Sequence, residues 1–238
     1  MADDIQVDIR VTSGLHPQNV KNIEGVGWDD ETAMLLEPTY RAFEEVYRGI
    51  ASVHDAREAA KRNPTLNEAS QVIATQDFAD KVFAKVAKAM DVTADNLKKG
   101  IDGIEKELTK PIEAQGSQSI SAEIRAHFKG LKPEERNVLL RNAINGGDHR
   151  TATAVLGGPS YLSGFTDDMH VLHLRSYHEK AYPQLAKRLK VFRGAFELLG
   201  DRSGLLFTQI ERAVGMPPHK VKALREAKLE AERVLKSA

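Results

Sequence analysis

Apolar positions along the chain repeat with two different periods. From Ile5 to Val11 the β-branched residues Ile5, Val7, Ile9 and Val11 alternate with Gln6, Asp8 and Arg10, a period of two that predicts a strand. The next stretch, Ser13 to Trp28, carries Gly and Pro punctuation, and Val20, Ile23 and Val26 recur at three. It supplies no evident hairpin partner. Beyond Asp29-Asp30-Glu31 the pattern is helical, with acids where the positive end of a helix dipole favours them. Pro38 interrupts that pattern. Tyr40, Phe43, Tyr47, Ile50 and Val53 then form one apolar stripe on a helix running to about Asn63.

Thr65 with Glu68 reads as a capping box that opens a long helix, with Leu66, Ala69, Ile73, Phe78, Val82 or Phe83, Val86 and Met90 on its apolar face. Thr93 is expected to cap another, carrying Leu97, Ile101, Ile104 and Leu108 and closed by Pro111. Three long helices suggest a bundle. The small, polar run Glu113 to Ser119 is the candidate flexible joint, near residue 116. Shorter helices follow. Ile120, Ile124, Phe128 and Leu131 share a face; Pro133 opens the next helix and Gly146-Gly147 stops it. Asp148 caps a brief helix ending at Gly157-Gly158-Pro159, and Thr166 caps one that Pro183 kinks or succeeds. Leu185, Leu189, Phe192 and Phe196 continue to Gly200; Leu205, Phe207, Ile210 and Val214 follow to Gly215. Pro217-Pro218 launches a charged terminal helix. The expected architecture is mainly α. An extended N-terminal β-type arm (1–28) leads into a long-helix bundle (29–112), a short-helix domain (119–215) and a C-terminal basic helix (216–238).

Composition narrows the function classes. The 238 residues, 41% hydrophobic and 29% charged, are enough to bury a real core. Lys+Arg and Asp+Glu balance at 34 each, which disfavours a uniformly basic nucleic-acid binder. The balance conceals a gradient: residues 1–40 carry net −6 and residues 179–238 carry net +6. Cysteine is absent, so disulfides, thiolate nucleophiles and cysteine-ligated metals are excluded. The start Met1-Ala2-Asp3-Asp4 lacks the basic and apolar regions of a secretory signal, and no long uncharged apolar run predicts a membrane span.

Candidate chemistry is sparse. His170 and His173 stand at i and i+3 with Asp167 one turn earlier, a partial metal set. Val171 and Leu172 occupy the positions where a His-Glu-x-x-His motif would hold its base. No phosphate-binding Gly-rich loop is present, Gly25-Val26-Gly27 lacking the third glycine, and Ser160 and Ser163 lie outside any strand-to-helix elbow. Ile210, Val214, Gly215, Met216, Val221 and Leu224 match the apolar and glycine positions of a helix-turn-helix. Lys220, Lys222 and Arg225, with His219, would then face nucleic acid. Glu211 objects, because it occupies the position where the two helices need a small residue. The terminal helix carries a narrow stripe through Val221 and Leu224 that suits either a partner helix or its own bundle. A lone strand leaves its backbone groups unpaired, so Ile5, Val7, Ile9 and Val11 are expected to pair with another chain's sheet edge, the alternatives being an unnoticed strand of this chain or no fixed order.

Residues 131–183 carry a further pattern: Leu131-Lys132-Pro133-Glu134-Glu135-Arg136, Gly147-Asp148, Ala154-Val155-Leu156-Gly157-Gly158-Pro159, Tyr161-Leu162-Ser163-Gly164-Phe165-Thr166 and Tyr182-Pro183. This stretch resembles a segment of uncharacterised helical proteins of tailed bacteriophages and prophages. The resemblance implies a virion or morphogenesis protein and carries no catalytic residue with it. The expectation is therefore a non-enzymatic structural or assembly protein, in a virion or the bacterial host cytoplasm, without a cofactor or metal. Its expected partners are other virion or assembly subunits, with a homo-oligomer compatible and no membrane. The alternatives are a nucleic-acid-binding protein using residues 207–225 and a metal-assisted hydrolase at His170 and His173.

Overall fold

A computed structural model describes residues 5–116 and 119–236. Met1–Asp4, Ser117 and Gln118 of the expected arm and joint, and the last two residues, lie outside them. The described residues form a 3₁₀ turn at Ser13–Leu15 and ten α-helices. These are α1 (Gln18–Lys21), α2 (Asp30–Arg62), α3 (Glu68–Gly116), α4 (Ser119–Gly130), α5 (Pro133–Gly146), α6 (His149–Leu156), α7 (Ser160–Ser163), α8 (Asp167–Ala181), α9 (Pro183–Val214) and α10 (Pro218–Lys236). No helix among the described residues is long and apolar enough to cross a membrane.

Local signals place most helix ends. Asp29 caps α2 by accepting from the Thr32 N–H, while the Thr32 hydroxyl accepts from the Asp29 N–H, each at 2.8 Å. Pro133 is the first residue of α5, and Gly147 ends it at φ +75°. Asp148 and Thr166 accept from Thr151 and Met169 backbone N–H groups to cap α6 and α8. Pro183 starts α9 and Pro218 starts α10.

The structure corrects five expected helix boundaries. α2 runs through Pro38, at the cost of one i to i−4 hydrogen bond; position 38 faces solvent, so the unbonded carbonyl one turn earlier can meet water. Asn67, rather than Thr65, caps α3 by accepting from the Ser70 N–H at 2.9 Å. Thr65 instead donates its hydroxyl to Asn63 Oδ1. Thr93 caps nothing: its hydroxyl donates to the Ala89 carbonyl at 2.8 Å, and α3 passes both it and Pro111. Gly200 likewise lies inside α9.

The strand is also corrected. Among the described residues there is none; Asp8–Val11 closes a turn, with the Val11 N–H donating to the Asp8 carbonyl at 3.1 Å. The alternation therefore sorts nothing onto two faces. Val11 is buried, whereas Val7 and Ile9 are 71% and 94% exposed.

The chain divides into two compact units, Met1–Leu97 with Gly194–Ala238, and Lys98–Arg193, and both divisions fall within helices rather than near residue 116. In the first unit α2 buries Leu36, Phe43, Val46, Ile50 and Val53, and α9 buries Ala195, Leu199, Leu206 and Ile210. Gly49 lets α3 approach closely: a Cβ there would lie 2.9 Å from Val86 and 3.0 Å from Val82. In the second unit Phe128, Leu140, Ile144, Val155, Phe165 and Tyr177 form one cluster, and Ile104, Leu108 and Leu189 form another.

Candidate interaction surfaces

The N-terminal segment docks on its own unit. Tyr47 on α2 pins Asp8 twice, its hydroxyl accepting from the Asp8 N–H at 2.7 Å and donating to the Asp8 carbonyl at 3.1 Å. Arg10 clasps the Asp8 carboxylate through Nε and Nη2 and reaches Asp55 with Nη1 at 2.8 Å. The Arg10 guanidinium holds the Asp8 carboxyl down at about 2. Farther along, the Thr12 N–H donates to the Gln209 side chain, Gly14 sits under Leu205, and Ile23 lies against Gly194. Residues 12–23 thus run along α9 in the opposite direction. Val11, Leu15 and Val20 are buried, so most of the segment expected to reach another chain is spent within this one. Of the four expected contact residues, Val7 and Ile9 are exposed, Ile5 is half-buried and Val11 is core.

The corner between α9 and α10 exists. Gly215 turns it at φ +78°, with the Arg57 guanidinium packed so closely that a Cβ would collide with it. Val221 is buried and Leu224 half-buried, which accounts for the apolar pattern as internal packing. The expected basic face is divided. Lys220, Lys222 and His219 are exposed, but Arg225 bonds Asp77 and Asp80 on α3 at 2.5 and 3.0 Å. That pairing, led by Asp80, raises the Arg225 pKa.

The histidines of α8 are separated by burial. His173 is buried, its Nε2 is 2.9 Å from the Asn137 Oδ1, and its ring stands edge-on to Phe165. Burial pushes its pKa down, as it does for His178 on α8 and His54 on α2. Among the described residues no group of three or more His, Asp or Glu could hold a metal ion. His170 and His173 are thus not completed into a ligand shell there. Asp167 accepts instead from the Ser160 hydroxyl at 2.5 Å.

Two features escaped the sequence reading. The first is Arg136, a buried cation whose guanidinium donates to the carbonyls of Phe128 at 2.9 Å, Leu131 at 2.8 Å and Lys129 at 3.3 Å, and to that of Gly164. It stacks on Phe165 and joins the carbonyl end of α4 to the end of α7, replacing water at both. The second is an outward face of α9. Because α9 does not stop at Gly200, Phe196 and Phe207 sit at the margin of the core, 40% and 64% exposed, with Phe207 against the Phe83 ring of α3 at 4.9 Å and Gly200 and Gly204 open between the two. The spacing 196, 200, 204, 207 was readable as one helical face. Treating Gly200 as a stop hid it.

A shallow groove of about 640 Å³ lies between α4 and α5 in the second unit, floored by Ile124, Phe128 and Leu139 and rimmed by Glu123, His127 and Asp148. Compared with protein-family models, with curated proteins and with solved structures, the chain matches none.

Proposed function

We propose that the chain is a non-enzymatic structural or assembly protein, a virion or morphogenesis subunit of a tailed bacteriophage, that binds other subunits through its helical surfaces. The observation that carries this reading is the number of large apolar side chains left uncovered on helices: Val171 and Leu172 on α8, Phe196 and Phe207 on α9, and Leu229 and Leu235 on α10. Uncovered apolar surface on a folded helix favours burial against a partner. The assignment to a phage particle rests on the resemblance over residues 131–183. In this fold those residues do structural work: Pro133 starts α5, Gly147 and Gly164 take positive φ, Asp148 and Thr166 cap helices, and Arg136 ties α4 to α7. The shared pattern therefore supports a common helical core and names no reaction.

Co-expression with candidate virion subunits, followed by co-purification and light scattering, tests the reading. A stoichiometric complex supports it; a chain that stays free and is absent from purified particles sinks it. The exposed Lys220 and Lys222 favour one second reading, a weak nucleic-acid contact at the start of α10. That reading requires a gel shift weakened by the Lys220→Ala, Lys222→Ala double variant and by added salt.

A further inference from the structure

We infer that the outward stripe of α8 is a two-fold contact with α8 of a second copy of this chain, the two helices lying antiparallel. The inference rests on the proposed function and deepens it by naming the partner of one uncovered helix face. α8 orders its side chains unusually. Its buried positions are His173 and Tyr177, whereas Val171 and Leu172 are 64% and 57% exposed. Met169 and Leu174 join the core cluster beside Tyr177, so the inward face is complete without the outward pair. An imidazole inside and two aliphatic side chains outside is the pattern of a helix covered on both sides. The Ser160 hydroxyl, bonded to Asp167, holds α7 beside the first turn of α8, and α7 adds the exposed Tyr161 and Leu162.

The order of residues along the stripe selects the occupant. Asp168, Val171, Leu172 and Arg175 follow at i, i+3, i+4 and i+7, so they share one side of α8, with an acid at its start, a base at its end and the aliphatic pair between. That order is its own complement when reversed. In an antiparallel pair Val171 meets Leu172 of the other copy and Asp168 meets its Arg175, and the two-fold axis makes each contact twice. The reversal also sets the two helix dipoles against each other favourably. Asp168 has no ion pair among the described residues. Arg175 holds Glu179 at 3.0 Å with both side chains largely in water, which leaves its other donors for the second copy's Asp168. Glu179, on the same stripe, then reaches past the other copy's first turn to the positive end of that helix. A two-fold pair covers both stripes at once and closes, without leading to a filament.

Light scattering of the full chain over a concentration series up to about 0.5 mM tests this, and should show a monomer–dimer equilibrium with a Kd of about 10–100 µM, as suits a small interface. Leu172→Asp changes an exposed position, so it should fold as the parent does and weaken the dimer about tenfold or more. Asp168→Lys and Arg175→Glu each set like charges together at both ends of the stripe, and each variant alone, shown folded by its thermal melt, should be monomeric. Mixed, the two should form a heterodimer, because every end then meets an opposite charge. A wild type that stays monomeric throughout overturns the inference, as does a dimer indifferent to Leu172→Asp or a mixture of the two charge variants that does not pair. A monomer that still binds a co-expressed virion subunit would overturn the self-association and leave the proposed function standing.

Discussion

Arg136 shows how one side chain can hold several chain ends. Its guanidinium is buried among the carbonyls that end α4 and α7, and Gly164 must be glycine twice over: its φ is +76°, and a Cβ would lie 2.8 Å from the Arg136 guanidinium. Arg136→Met keeps the packing volume but leaves those carbonyls without a donor, and should cost about 2–4 kcal/mol, read from urea unfolding. The buried histidines set the response to acid. His54, His173 and His178 all have folded-state pKa values held below the ordinary histidine value, chiefly by burial. The unfolded chain therefore binds more protons as pH falls through about 6.5, so stability is full above that value and declines below it. Thermal melts should drop steadily from about pH 7.5 to about pH 5, and His178→Leu should flatten the curve. Asp8 acts later: with its folded pKa near 2, its contribution is complete above the unfolded value and is lost between about pH 4 and 2.

At the scale of the element, short-range signals and long-range packing had unequal success. The acidic helix start after Asp29, the Pro133 start and the Gly147 stop act within one turn, and the structure uses each where the sequence places it, whereas the capping box expected at Thr65–Glu68 gives way to Asn67. Asp29→Ala should cost about 1 kcal/mol. Pro38, Thr93, Pro111 and Gly200 read as interruptions and are not, because a long helix with one buried face tolerates a single lost bond or a glycine. This misreading mattered for α9. Two separate helices would place Phe196 and Phe207 in the core; one continuous helix places Leu199, Leu206 and Ile210 there and leaves both rings at its margin. Gly200→Ala should stabilise the chain by about 0.5–1 kcal/mol in chemical denaturation, since nothing opposes the added methyl group.

Across the whole molecule, the charge gradient along the chain takes a different form in space. The acidic start and the basic end belong to the same unit, and Arg225 of α10 pairs with Asp77 and Asp80 within it. That unit holds 18 Lys and Arg against 23 Asp and Glu, a net −5; the other holds 16 against 11, a net +5. The opposition lies between units rather than between chain ends. The docked N-terminal segment has its own consequence. An arm that served only another chain could be removed without harm to the fold, but this one contributes Leu15 and Val20 to the core. Deleting residues 1–24 should therefore lower the melting temperature measurably, by several degrees or about 2 kcal/mol and more.

The sequence by itself determined the mainly helical class, the stripe from Tyr40 to Val53, and most starts and stops of the shorter helices, because each depends on residues within a turn or two of one another. Only the tertiary structure decided the rest. The β-like alternation at Ile5–Val11 needs a neighbouring strand, and what Asp8 meets instead is the Tyr47 hydroxyl, 39 positions away. Arg136 finds its acceptors on two chain segments, the end of α4 and Gly164, the latter 28 positions away. The outward face of α9 exists because burial of the opposite face carries the helix past Gly200. In each case the deciding partner is distant along the chain, where local periodicity contains no information about it.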